Sequence, residues 1–187
     1  MTLSPIYTAA PGLGSCLCHG EVLSDLVRFR LDIATMHEPE PSIAEIHYPY
    51  VVVLSQSCDL SQDFEGRKSG KPQLPEILFC SVPTAESLRA TCGGSDIWKR
   101  VRQNKDERYH FLEKAPPAVD HCGEGIPELG VDFKRYFTLP TDEIYRRLEI
   151  GPTRPRTVLI TPYLEHLSNR FAYFLGRVAL PREHISE

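Results

Sequence analysis

The chain has 187 residues, 41% hydrophobic and 25% charged, with a formal net charge of −4 and a pI near 6.0. That length suits one domain with a proper core and leaves little room for two. The acidic total excludes a general nucleic-acid coat, and no apolar run approaches the roughly 18 residues of a helical membrane span.

Residues 1–14 carry Pro5, Pro11, Gly12 and Gly14 and read as a loose N-terminal arm on a single domain, 1–187. They hold no Lys or Arg, so no secretory start is expected. A cytoplasmic location with reduced cysteines is the expectation that follows, with no membrane as partner. From Gly20 a strand pattern emerges: Val27, Phe29 and Leu31 alternate with Arg28, Arg30 and Asp32. A loop at 36–42 leads to a second alternating stretch, Ile43 to Tyr48, and past Pro49 to an apolar strand, Tyr50 to Ser55.

The polar segment 59–75, with Gly66, Gly70, Pro72 and Pro75, reads as a long loop covering whatever lies at the end of that strand. Residues 76–82 form the next core strand. Thr84 caps a short helix and Ser95 a second, in which Ile97, Trp98 and Val101 share a face. Residues 108–113 alternate as a strand, 116–128 form a loop, and 129–139 read as one long strand. A helix runs from Thr141 to about Leu148 and a short strand from Thr157 to Ile160. The clearest helix follows, capped by Thr161 with Pro162 at its first position. Leu164, Leu167, Phe171, Phe174, Leu175 and Val178 form its apolar stripe. Short antiparallel-style strands without regular strand–helix alternation predict an α+β fold: a small curved antiparallel sheet, or an SH3-like barrel, with a packed C-terminal helix.

The candidate chemistry centres on Ser55-Gln56-Ser57-Cys58-Asp59, small polar groups delivered by a core strand. A carboxylate beside a thiol disfavours the thiolate, so Cys58 next to Asp59 needs a His or Arg from elsewhere to act as a nucleophile. His110, His47 and His121 are the candidates, and His110 on the 108–113 strand completes the proposed set of Ser55, Cys58, Asp59 and His110. The alternative is a plain turn in which Cys58 packs as a small hydrophobe. Cys16-x-Cys18-His19 lacks the second pair that a zinc site needs, and no motif names a cofactor. Arg28 and Arg30 share a strand face, and Tyr109 offers a ring on which a base can stack, which together suggest a patch for single-stranded RNA.

The strand start Gly20-Glu21-Val22-Leu23 and the apolar strands Tyr50–Ser55 and Ile77–Val82 together resemble the layout of MazF/PemK-type toxins over residues 20–82. Those are small SH3-like barrels, many of which cut single-stranded RNA. The resemblance implies a barrel, places Ser55 near an RNA site and makes Arg28 the basic catalytic residue. SQSCDL, 55–60, also resembles a motif that recurs in bacterial and phage proteins, with no activity attached. Two other readings stand beside a ribonuclease: a thiol- or metal-dependent site on Cys58, and a non-catalytic component bound to a protein partner or to a second copy.

Overall fold

Two strands of eleven residues, β2 (Glu21–Leu31) and β3 (Ile43–Val53), run antiparallel from Val22 opposite Val52 to Leu31 opposite Ile43. The computed structural model describes residues 6–177. Residues 43–48 and 50–53, separate strands by pattern, are one strand. Pro49, which has no N–H to give the ladder, falls opposite Asp25, which adopts a left-handed φ of 58°. One end of this pair is sealed: Val22, Leu23, Leu26, Val51, Val52 and Val53 have no solvent exposure. The other end projects, leaving Phe29, Leu31 and Ile43 exposed.

Four more strands complete a six-stranded antiparallel sheet curled into a half-barrel. They are β1 (Tyr7–Ala9), β4 (Glu76–Ser81), β7 (Tyr136–Pro140) and β8 (Arg154–Leu159), in the order β1-β8-β2-β3-β4-β7. Both faces of the sheet are covered. Val22, Val52 and Cys80 enter one core, while Leu23, Val51, Val53, Ile77 and Phe79 enter another. Burial on both sides is why residues 50–54 are a continuous apolar run instead of an alternating one. A separate pair, β5 (Tyr109–Leu112) and β6 (Leu129–Asp132), lies outside this sheet.

Three expectations are corrected. The loose arm contains β1, which pairs with β8, and the Tyr7 hydroxyl donates to the Glu113 carbonyl at 2.8 Å. The long strand 129–139 is broken by a turn at Phe133–Arg135, where Asp132 accepts from the Lys134 N–H, and its halves join different sheets. The loop 59–75 is mostly helix α1, Ser57–Lys68. Only Leu60 and Asp63 of α1 are buried, so it shows no apolar stripe. Buried polar contacts hold it instead. Asp63 accepts from the Gln73 and Leu74 N–H groups at 2.7 Å each and pairs with Arg67.

Helices α2 (Ala85–Thr91), α3 (Ser95–Arg102), α4 (Thr141–Ile150) and α5 (Tyr163–Leu175) match the expected helices. Thr84 caps α2 by accepting from Ser87 N–H at 3.2 Å, as expected, whereas Gly94 occupies the cap of α3 and Pro162 that of α5. The Thr161 hydroxyl instead donates to Glu165 Oε1 at 2.8 Å. Helix α5 lays Leu167 and Phe171 into the first core, with Leu164 and Phe174 partly buried against it. Each fully buried side chain of this kind stabilises by about 1.5–3 kcal/mol. Leu175 stays exposed, and Val178 lies outside the described residues.

Candidate functional site

Where β3 ends, Ser55 remains tied to the sheet. Its Oγ accepts from the Leu78 N–H at 2.9 Å, and Leu54 N–H donates to the Leu78 carbonyl at 2.8 Å. The Ser55 carbonyl turns the other way and meets His19 Nδ1 at 3.0 Å. The opposite ring nitrogen, Nε2, lies 2.7 Å from Ser168 Oγ on α5. A hydroxyl, an imidazole and a carbonyl thus stand in line.

The ring protons of this chain can be assigned by elimination. A carbonyl only accepts, so Nδ1 must carry a proton. Burial holds the His19 pKa below the ordinary imidazole value, outweighing the hydrogen bonds at Ser55 and Leu54 that raise it. The ring is therefore neutral near pH 7, and Nε2 is a bare acceptor. Ser168 Oγ can then give its proton to Nε2 at 2.7 Å or to the Leu164 carbonyl at 2.9 Å. When the ring gains a proton, Nε2 becomes a donor, and the hydroxyl can turn to the Leu164 carbonyl at 2.9 Å. Both protonation states are satisfied by the same side chains.

Several elements hold this arrangement. His19 sits in the loop before β2, where Gly20 has a left-handed φ of 75° and donates its N–H to the Val53 carbonyl at 2.9 Å. A β-carbon on Gly20 would come within 2.6 Å of Leu164 Cδ1 and 3.3 Å of Leu159 Cβ, and the left-handed φ would strain any residue that carries one. His19 N–H also donates to Ser57 Oγ at 3.2 Å. These residues border a cavity of about 520 Å³ whose wall includes Gln56, Ser57, Glu165, Leu54 and Phe171. The first turn of α1 reaches the same wall. Gln56 gives it no side-chain cap, and the N–H groups of Ser57, Cys58 and Asp59 have no partner among the described residues. Such a helix start favours a developing negative charge.

The sequence-derived site residues divide. Ser55 belongs to this arrangement through its carbonyl. Cys58 and Asp59 are exposed on the first turn of α1: Cys58 Sγ lies 3.6 Å from Asp59 Oδ1 and 3.6 Å from Gln56 Oε1. Among the described residues no imidazole or guanidinium hydrogen-bonds either group. His110 is buried on β5, its ring 5.2 Å from that of His166, and none of its contacts comes from residues 55–59. Burial, with Arg170 and His166 beside it, holds its pKa well below the ordinary value, and its Nδ1 has no hydrogen-bond partner among the described residues.

The expected nucleic-acid residues do not form one surface. Arg28 covers the Phe137 ring at 5.4 Å, and Arg30 is exposed on the projecting hairpin. Tyr109 is buried in a cluster with Leu88, Val101 and Phe111 instead of offering a free ring.

Two residues of the site, His19 and Ser168, were not singled out as a pair by sequence reasoning. Ser168 did leave a signal, a polar residue four positions after Leu164 and three before Phe171, inside the apolar stripe. Among the described residues no three His, Cys, Asp or Glu side chains are grouped to hold a metal ion. All six cysteines are free. No protein-family model matches the chain, and no curated protein sequence is similar to it.

Proposed function

We propose that the protein is a hydrolase-type enzyme for small acyl compounds, with Ser168 as nucleophile and His19 as its base. The observation that carries this reading is the alignment of Ser168 Oγ, the His19 ring and the Ser55 carbonyl at 2.7 and 3.0 Å beside an open cavity. A nucleophile within hydrogen-bond reach of a base that a third group orients is the arrangement such chemistry needs. As Ser168 Oγ attacks a carbonyl carbon, its proton passes to His19 Nε2. The Ser55 carbonyl, accepting from Nδ1–H, favours the ring that has become charged. His19 then gives the proton to the leaving group as its bond to the acyl carbon breaks, and water, giving its proton to His19, attacks the acyl-serine, whose bond to Ser168 Oγ breaks as His19 returns the proton to that oxygen. The N–H groups at the start of α1 are the donors available to the oxyanion.

The third group is a neutral carbonyl and not a carboxylate, so it supports the charged ring less than an aspartate would. Glu165, on the cavity wall, adds a negative charge that favours the imidazolium. The wall formed by Leu54, Leu164, Phe171, Ala172 and Leu175 suits an apolar acyl group. Among the described residues no Lys or Arg lines this cavity, so none of them offers a phosphodiester a cation to clamp it. That favours acyl transfer over the ribonuclease implied by the toxin resemblance.

The test is active-site labelling with an alkyl fluorophosphonate, read by mass spectrometry. One adduct on Ser168 is expected, absent in Ser168→Ala and formed about 10²–10⁴-fold more slowly in His19→Gln, the usual range for loss of a general base. No adduct on the folded protein, or an adduct that survives Ser168→Ala, overturns the proposal.

A further inference from the structure

A second cavity, of about 590 Å³, lies between the 11–17 loop, α1 and α4, apart from the Ser168 site. Its volume is within the usual range for small-ligand pockets. Pro11, Leu13, Leu17, Phe64, Leu148 and Pro155 make it mostly apolar. Two polar groups on its wall are poorly matched by the protein itself.

The first is Glu21. Four carboxylates are buried among the described residues: Glu21, Asp63, Asp120 and Asp132. Asp63 pairs with Arg67, Asp120 with Arg156 and Asp132 with Arg108. Among the described residues Glu21 pairs with no cation; its Oε2 accepts one hydrogen bond, from Cys18 N–H at 2.8 Å, and its Oε1 accepts none. A buried carboxylate without a counterion is costly, and one that lines a cavity marks a candidate site. The second group is the Tyr145 hydroxyl, buried beside the Cys16 thiol and the Leu17 backbone but without a hydrogen bond of good geometry to any of the described residues.

We propose that this cavity binds a small apolar amine, with Glu21 supplying the missing charge and Tyr145 Oη accepting a second hydrogen bond. An ammonium has three donors and no acceptor, which fits two waiting oxygens. Two of the three cations on its wall are engaged elsewhere: Arg67 holds Asp63 and Asp142, and Lys68 holds Glu65. Arg146 and Glu149 stand exposed at the rim.

The binding should depend on pH, because only ionised Glu21 attracts the cation and burial has raised its pKa to about 7. Cys16, Cys18 and Tyr145 share this region, and burial raises each above its ordinary value, so none of them supplies charge near neutrality. Phenethylamine serves as the probe and 2-phenylethanol as its neutral counterpart, each titrated by NMR into the full chain. Phenethylamine should bind about tenfold more tightly near pH 8 than near pH 6, following the ionised fraction of Glu21, while the alcohol shows no such gain. Glu21→Gln should remove the gain and keep alcohol binding, which reports an intact cavity. Ser168→Ala should change neither. Failure of both probes to bind, or an amine affinity that keeps its pH dependence in Glu21→Gln, overturns the site.

Discussion

His19 and Glu21 sit two positions apart, and burial moves them in opposite directions for one reason. Leaving water disfavours the charged form, so the imidazole loses its proton more readily and the carboxyl holds its proton more tightly. For Glu21 the sign follows from its ordinary value of 4.5 and its folded value of about 7. Between these, the unfolded chain releases the proton and the folded chain keeps it, so stability falls as pH rises through that window. Near pH 8 the cost is on the order of 3 kcal/mol. Glu21→Gln should therefore raise the urea midpoint of the unliganded protein near pH 8 and leave it little changed near pH 4. A lower midpoint near pH 8 would mean that the carboxylate, through Cys18 N–H, holds the loop together. At this scale the sequence was partly legible. The small polar groups after Leu54 marked the right strand end. The partner of Ser55 was hidden, because His19 is 36 residues away and joins it only through the fold.

Among the elements, α1 was the least legible, and its physics explains why. Periodicity finds helices that bury an apolar stripe, whereas α1 buries one leucine and one aspartate. Asp63 acts as its anchor, collecting two backbone N–H groups and Arg67, with burial opposing and these contacts outweighing it to keep the carboxyl below its usual range. Asp63→Ala should cost about 3–5 kcal/mol, the penalty for stranding the buried partners of a charge. Denaturant unfolding measures the loss, and amide exchange should rise first over residues 57–74. A loss below about 1 kcal/mol would show that α1 stands without its anchor. Gly66 belongs to the same device: a β-carbon there would lie 2.3 Å from the Lys71 carbonyl oxygen. The break of the expected 129–139 strand was also unreadable, because its alternation runs on through Asp132, whose side chain bonds to Arg108 and to the turn that ends β6. Helix α5, with its wide apolar stripe, was predicted well.

For the molecule as a whole, the α+β class and the curled antiparallel sheet were legible from the many short strands and the punctuating prolines. What single-strand patterns could not show is that the sheet is packed on both faces, with α5 on one side and α1 and α4 on the other. That double packing lets β3 carry Ser55 to α5, where the loop before β2 brings His19 between them. Among the described residues no helix is long and apolar enough to cross a membrane. The relay from Ser168 through His19 to the Ser55 carbonyl needs all of this architecture and one proton arrangement. Nitrogen-15 NMR of the histidine rings at neutral pH reads that arrangement directly. The expected result is a neutral His19 ring with its proton on Nδ1 and an unprotonated Nε2 that shifts when Ser168 is changed to Ala. A ring protonated on Nε2 alone, or one already charged at pH 7, would contradict it.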